Sequence, residues 1–346
     1  MMNYENFKEV VTDKFKDYLS QEYQDMELRI ESVNKVNRSL DGIMLVNKKA
    51  KSEVFPTLYI NYMYDHYLYT GNLEEVLQDA AECMDRAFRE VPEVENLDYD
   101  NVKDNIVFQV INTLQNVEIL REMPHREFHD LSIIYRWIVK MDESGIQSSV
   151  VLNNFAKRLG LSEEQLFRCA VANTRRIFPS TIQSMSDVLH DILVREGFPG
   201  EFIEIPEDMM MWIISNEKRF YGAASMLYED NLHKLAMKMG TDLYVLPSSV
   251  HECIAVSVDT GDPYWFAEMV SDINMGQVAL EERLSNQVYH YDKDVRSLTL
   301  ATDTPNRRLD DKEWRSQFSY DIGSQTGDFS LKRSNCAGIG CFYRAQ

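Results

Sequence analysis

The run His125-Arg126-Glu127-Phe128-His129-Asp130 sets two imidazoles and a carboxylate within six residues. On a helix, His125 and His129 would lie one above the other at i and i+4, a spacing that can chelate a metal ion, with Asp130 as a further donor. The surrounding residues, MPHREFHDLSIIYRW, read instead as a loop entering an apolar strand, and no third and fourth protein ligand stands out. In that setting Asp130 bonds backbone groups of its own turn. A second group is Pro247-Ser248-Ser249-Val250-His251-Glu252, a polar turn between two apolar runs. Ser249, His251 and Glu252 are the ingredients of nucleophilic catalysis, and Ser249 and His251 share one face of an extended chain. No oxyanion-hole signature or strained elbow accompanies them. Serines that satisfy the turn's backbone explain the pattern as well.

A third group has the outline of a helix-turn-helix. In segment 152–177, two apolar-patterned stretches flank Gly160, and Arg168, Arg175 and Arg176 are candidate phosphate contacts. The second stretch opens on Ser-Glu-Glu-Gln, which would turn two carboxylates toward phosphates. Two packed helices joined by a glycine turn look the same. The aromatic cluster Tyr59, Tyr62, Tyr64, His66, Tyr67 and Tyr69 is a candidate partner surface, because tyrosine suits places where one end stays wet.

These groups need elements to hold them. Apolar residues at helical spacing predict a helix over 4–19, then strands near 28–33, 43–46 and 54–60. Asn72 is placed to cap a helix carrying Leu73, Val76, Leu77, Ala80, Met84 and Phe88 on one face. The spacing of Val102, Ile106, Val107, Val110, Ile111 and Leu114 predicts another helix, and 131–139 a buried strand. Two helices are expected in 151–178, then strands at 209–214 and 222–228 around the turn NEKRF. A helix ending at Gly240, strands at 243–246 and 253–258, a helix over 264–284 and a hairpin over 288–300 follow. Strands and helices mix without strict alternation, so the fold class is α+β, with mixed or antiparallel sheets, flanking helices and strand-turn-strand-helix units. That order recurs at 43–90 and 209–240, as a duplication would leave it. The expected division is 1–120, 121–302 and a loosely held polar tail over 303–346.

The chain has 346 residues and a formal net charge of −20. Such a surface repels phosphate backbones, so nucleic acid is a disfavoured partner. Five cysteines without a C-x-x-C pair fit free thiols in a reducing compartment. No stretch resembles a signal peptide or a membrane span, so a cytoplasmic protein without membrane contact is expected. The phosphate-cradling, zinc-protease and nucleophile-elbow motifs are absent, and no cofactor is expected.

The blocks FPTLYINYMYDHYLYTG, MPHREFHDLSIIYRW, SNEKRFYGAASMLY, DLYVLPSSVHE and EMVSDIN…LSNQVYHYD resemble an uncharacterised bacterial family labelled only as a domain of unknown function. The likeness extends to about residue 300. It implies a cytoplasmic protein carried by mobile elements and brings no catalytic residues with it. The expectation is a binding or interaction protein with a protein partner, such as an acidic accessory protein that imitates DNA. A hydrolytic or metal-dependent enzyme at the 247–252 turn is the first alternative, and DNA binding through 152–177 the second.

Overall fold

Asn3 opens the first helix, α1 (Tyr4–Tyr18), by accepting the Asn6 amide, and Phe7, Val11 and Phe15 form its buried stripe. The computed structural model describes residues 1–46, 54–89, 99–142, 145–195, 197, 210–303, 309 and 342–345. The chain forms two compact units, one of residues 1–35, 39–97 and 316–346, the other of 36–38 and 98–315.

In the first unit, strands β1 (Glu27–Lys35), β2 (Arg38–Val46) and β3 (Val54–Tyr59) lead into helices α2 (Ile60–Thr70) and α3 (Leu73–Arg89). The aromatic segment is therefore a helix. Tyr64 and Tyr67 pack against Phe7, with ring centroids 5.3 Å away in each case, and Tyr67 is buried. Among the tyrosines of the cluster, Tyr69 stands out at 89% exposure. Asn72 caps α3 as the sequence predicts, its side chain accepting the Glu75 amide. Ile43, Leu45 and Leu58 of the sheet pack with the inner faces of α1, α2 and α3 in one core.

The second unit begins with α4 (Tyr99–Asp104) and β4 (Ile106–Asn112). The helix predicted over 102–114 is thus a short helix followed by a strand. All seven residues of β4 are buried, so no polar face is left to show a period of two. A short helix, α5 (Val117–Leu120), precedes β5 (His125–Phe128), β6 (Leu131–Asp142) and β7 (Gly145–Val150). β4 and β5 flank β6, and β7 also pairs with β6. Next come α6 (Asn153–Arg158), α7 (Glu163–Ile177), β8 (Ser180–Ser184) and α8 (Met185–Arg195). The sequence reading missed β8 and α8.

β9 (Trp212–Asn216) follows. The strand expected at 222–228 is a 3-10 turn over Gly222–Leu227, so the 209–240 repeat lacks its second strand. Then come α9 (Glu229–Met239), β10 (Leu243–Leu246), β11 (Cys253–Ser257), α10 (Pro263–Gly276) and the hairpin β12 (Tyr289–Asp292) and β13 (Ser297–Leu300). Six strands form an antiparallel sheet in the order β13-β12-β10-β11-β9-β8. Alternation sorts its side chains. Leu243, Val245, Cys253 and Ala255 join the main core, while Leu246 and Val256 pack with Phe266 and Val270 of α10. The fold is α+β, antiparallel sheets with flanking helices; β10-β11-α10 is a strand-turn-strand-helix unit.

The tail over 303–346 lies mostly outside the described residues. Its strand β14 (Phe342–Ala345) pairs antiparallel with β3. Among the described residues no helix is long and apolar enough to cross a membrane.

Candidate functional site

The chemistry-bearing residues of the second unit gather at strand ends and turns. His125 and His129 lie on a hairpin, not a helix. Phe128 pairs with Leu131 across a two-residue turn in which His129 takes φ 55°. His125 Nδ1 is 3.0 Å from the Met123 carbonyl, which can only accept, so Nδ1 carries a proton and Nε2 is the nitrogen left for a ligand. His129 Nε2 is 3.3 Å from the Leu298 carbonyl. Asp130 is buried and accepts from Ser285 Oγ at 2.5 Å and from the Tyr289 hydroxyl. Burial pushes its carboxyl above the usual carboxylate range, with these two hydrogen bonds opposing. The three candidate ligands make three separate sets of bonds and do not converge on one point.

The 247–252 turn joins the same neighbourhood through residues 282–285. Val250 N donates to Glu282 O, Leu284 N to Ser248 O and Ser285 N to Pro247 O. One backbone segment therefore carries both the partner of Asp130 and the support of the turn. Ser249 Oγ accepts the main-chain amide of His251 at 3.1 Å, which is a turn-capping role. The His251 ring lies parallel to Tyr221, centroids 5.9 Å apart, and its Nε2 is 3.8 Å from Glu282. Its Nδ1 is buried without a hydrogen-bond partner among the described residues. Glu252 is half-buried, and its charge adds to the burial that raises the neighbouring Cys253 thiol.

Tyr221 belongs to a strained loop that sequence reasoning took for an ordinary turn. Arg219 and Tyr221 hold φ 51° and 50°, each at a cost of order 1–3 kcal/mol. Asn216 binds the loop from within, its Oδ1 accepting from Lys218 N and Phe220 N while its Nδ2 donates to Phe220 O. Gly222 then passes so close to β9 that a Cβ would sit 2.2 Å from Ser215 Oγ and 2.4 Å from His251 O. Arg136 lies over the other partner ring, 5.0 Å from the Tyr221 centroid. Strained loops of this kind concentrate at functional places, and the only sequence signal was a glycine after two aromatics.

A cleft of about 600 Å³ opens where α5, the start of β5 and α6 meet. Leu120, Met123 and Ala156 give it a buried apolar floor, and Arg121, His125 and Lys157 also line it, Arg121 being paired with Glu118 at 2.7 Å. Its carboxylate, Glu163, is already engaged. Arg126 grips Glu163 with two hydrogen bonds of 3.1 and 2.9 Å, and Tyr135 donates a third. Burial pulls the Glu163 carboxyl up, but these partners outweigh it and hold it below the usual range.

The arginines of α7 are each partnered within the second unit. Arg168 pairs with Glu164 at 2.9 Å, Arg175 pairs with Asp230 at 2.8 Å and lies over Tyr228, and Arg176 donates to Asp104 O. The helix starts on a capping box between Ser162 and Gln165 and buries Leu166, Ala170, Asn173 and Thr174. It packs as a core helix on β4, with Thr174 Oγ1 accepting the Phe108 amide.

No curated protein and no solved structure matches the chain. A family model described as a family of unknown function matches residues 4–293, a span that takes in every site residue considered above. The chain therefore belongs to that family, DUF5688, whose description carries no activity.

Proposed function

We propose that the protein binds rather than turns over a ligand, and that the cleft beside His125 takes a carboxylate carried on an apolar body. The distribution of charge carries this reading. On a chain of net charge −20, the cleft is lined by His125, Lys157 and Arg121, the last paired with Glu118 at 2.7 Å, while its acidic residue Glu163 is ion-paired with Arg126 and accepts from Tyr135. An apolar floor with a few convergent polar groups, in a volume of about 300–1,000 Å³, is the usual form of a small-ligand site. A protein partner would offer the same chemistry at its chain end. The catalytic alternative has weaker support, because Ser249 Oγ is bonded to a backbone amide while the His251 ring stacks on Tyr221 and lies 3.8 Å from Glu282. A reducing cytoplasmic setting belongs to the same proposal, supported by free thiols at Cys169 and Cys253. The bacterial mobile-element setting rests on the sequence resemblance alone.

Titration with hexanoate, using 1-hexanol as the uncharged control, tests the proposal by calorimetry or amide chemical shifts. A charge-assisted hydrogen bond is worth about 1.5–3 kcal/mol, so hexanoate should bind at least about tenfold more tightly than the alcohol. The substitution Lys157→Glu, at an exposed position, should abolish that preference. Equal binding of the two probes, or a preference that survives K157E, overturns the reading.

A further inference from the structure

In the first unit, His66, Glu75 and Asp79 place one imidazole nitrogen and two carboxylate oxygens within 4.8 Å of one another. We propose that these three side chains form a binding site for a divalent transition-metal ion, with zinc as the reference ion.

The placement follows from the helix pair that carries them. Gly71 ends α2 in the left-handed conformation, φ 69°, and with Asn72 forms the whole connection to α3. So short a link folds the last turn of α2 against the first turns of α3. Glu75 and Asp79 are four apart on α3 and therefore share one face, while His66 sits one residue before the buried Tyr67. The next position after each acidic residue, Val76 and Ala80, is fully buried. The three donors thus stand at the rim of a packed core, on backbone fixed by Met63, Tyr67, Val76, Leu77 and Ala80. That distinguishes them from carboxylates scattered over a solvated surface. His66 Nδ1 and Asp79 Oδ2 are 3.9 Å apart. Zinc–nitrogen and zinc–oxygen bonds of about 2.0–2.2 Å bring neighbouring donors to roughly 3.3 Å, a closure that side-chain rotation supplies.

The donor set selects the ion class. One imidazole with two carboxylates suits zinc, manganese or iron(II), whereas calcium and magnesium prefer all-oxygen sites. Three protein ligands leave at least one position for water or an exogenous group, as in an open rather than a closed structural site. An ion there would also tie α2 to α3, adding binding energy to the stability of that helix pair.

Calorimetric titration of the full chain with Zn²⁺ alone, paired with Co²⁺ absorption spectroscopy, tests the site. One saturable equivalent is expected, and the Co²⁺ spectrum should lose its nitrogen-ligand signature in His66→Ala. Losing a group that merely hydrogen-bonds a metal ligand already costs about 10–100-fold in metal affinity, so Glu75→Gln and Asp79→Asn should each weaken binding at least about tenfold. Both acidic residues are exposed, so circular dichroism should show these two variants folded. Absence of saturable binding overturns the site. So does binding that survives the His66→Ala/Asp79→Asn double substitution, or zinc that excess Ca²⁺ displaces, since either places the ion on acidic surface elsewhere.

Discussion

Among the described residues Asp130 pairs with no lysine or arginine; it accepts from the hydroxyls of Ser285 and Tyr289, with His129 beside it. Burial outweighs those two bonds and holds its carboxyl above the ordinary value. The folded protein therefore keeps a proton that the unfolded chain releases near pH 3.9. Stability should fall as pH rises from there through the raised folded value, because over that window the folded state binds more protons than the unfolded one. Asp130→Asn removes the titration and keeps a polar partner for both hydroxyls. Urea midpoints between about pH 4 and 7 should decline less for the variant than for the wild type, and identical slopes would show that the carboxylate contributes nothing. The same residue shows how far single-sequence reasoning reaches. His125, Asp130, Ser249 and His251 stand out by type and spacing. Their partners do not, since Ser285 and Tyr289 lie 155 and 159 positions from Asp130, and Tyr221 lies on another loop. Contacts across such separations leave no mark on local periodicity.

At the scale of elements, α7 shields an edge. β4 stands at the end of its sheet, and α7 meets it with side chains: Thr174 accepts the Phe108 amide at 3.0 Å and Asn173 donates to Ile106 O at 3.0 Å. An unpaired edge strand is a hazard, and here a helix covers it. Thr174→Val keeps the shape of the side chain but strands a buried amide donor, at a cost of about 1–3 kcal/mol. A urea titration that shows no loss of stability would mean that the amide finds another acceptor. The helix itself is legible in the sequence as the apolar-patterned stretch that follows Gly160. What was not legible was its role, because Arg168, Arg175 and Arg176 look basic until Glu164, Asp230 and the Asp104 carbonyl are placed beside them. The strand β4 was read as a helix for a related reason. Burial on both faces erases alternation, and only the β-branched content of Ile106, Val107, Val110 and Ile111 remained as a signal. The segment 222–228, expected as a strand, opens instead on Gly222, which has no room for a side chain against β9 and the 247–252 turn.

Across the whole molecule, 56 acidic residues face 36 basic ones. Repulsion among the excess carboxylates opposes the compact state, and salt screens it. The melting temperature should rise between about 50 mM and 500 mM sodium chloride, where the Debye length shrinks from above 10 Å to below 5 Å. A fall instead would mean that the exposed pairs, such as Arg296 with Glu229 and Arg175 with Asp230, outweigh the general repulsion. The two units can be compared in the same experiment by following them separately, since each has its own core.

The chain leaves its first unit at residue 97, builds the second, and returns at residue 316 so that β14 can lie beside β3. Synthesis runs in one direction, and domains fold as units while the chain emerges. On the ribosome, the sheet of the first unit waits with an open edge at β3 until the second unit has been made. The unit begun first is the one completed last.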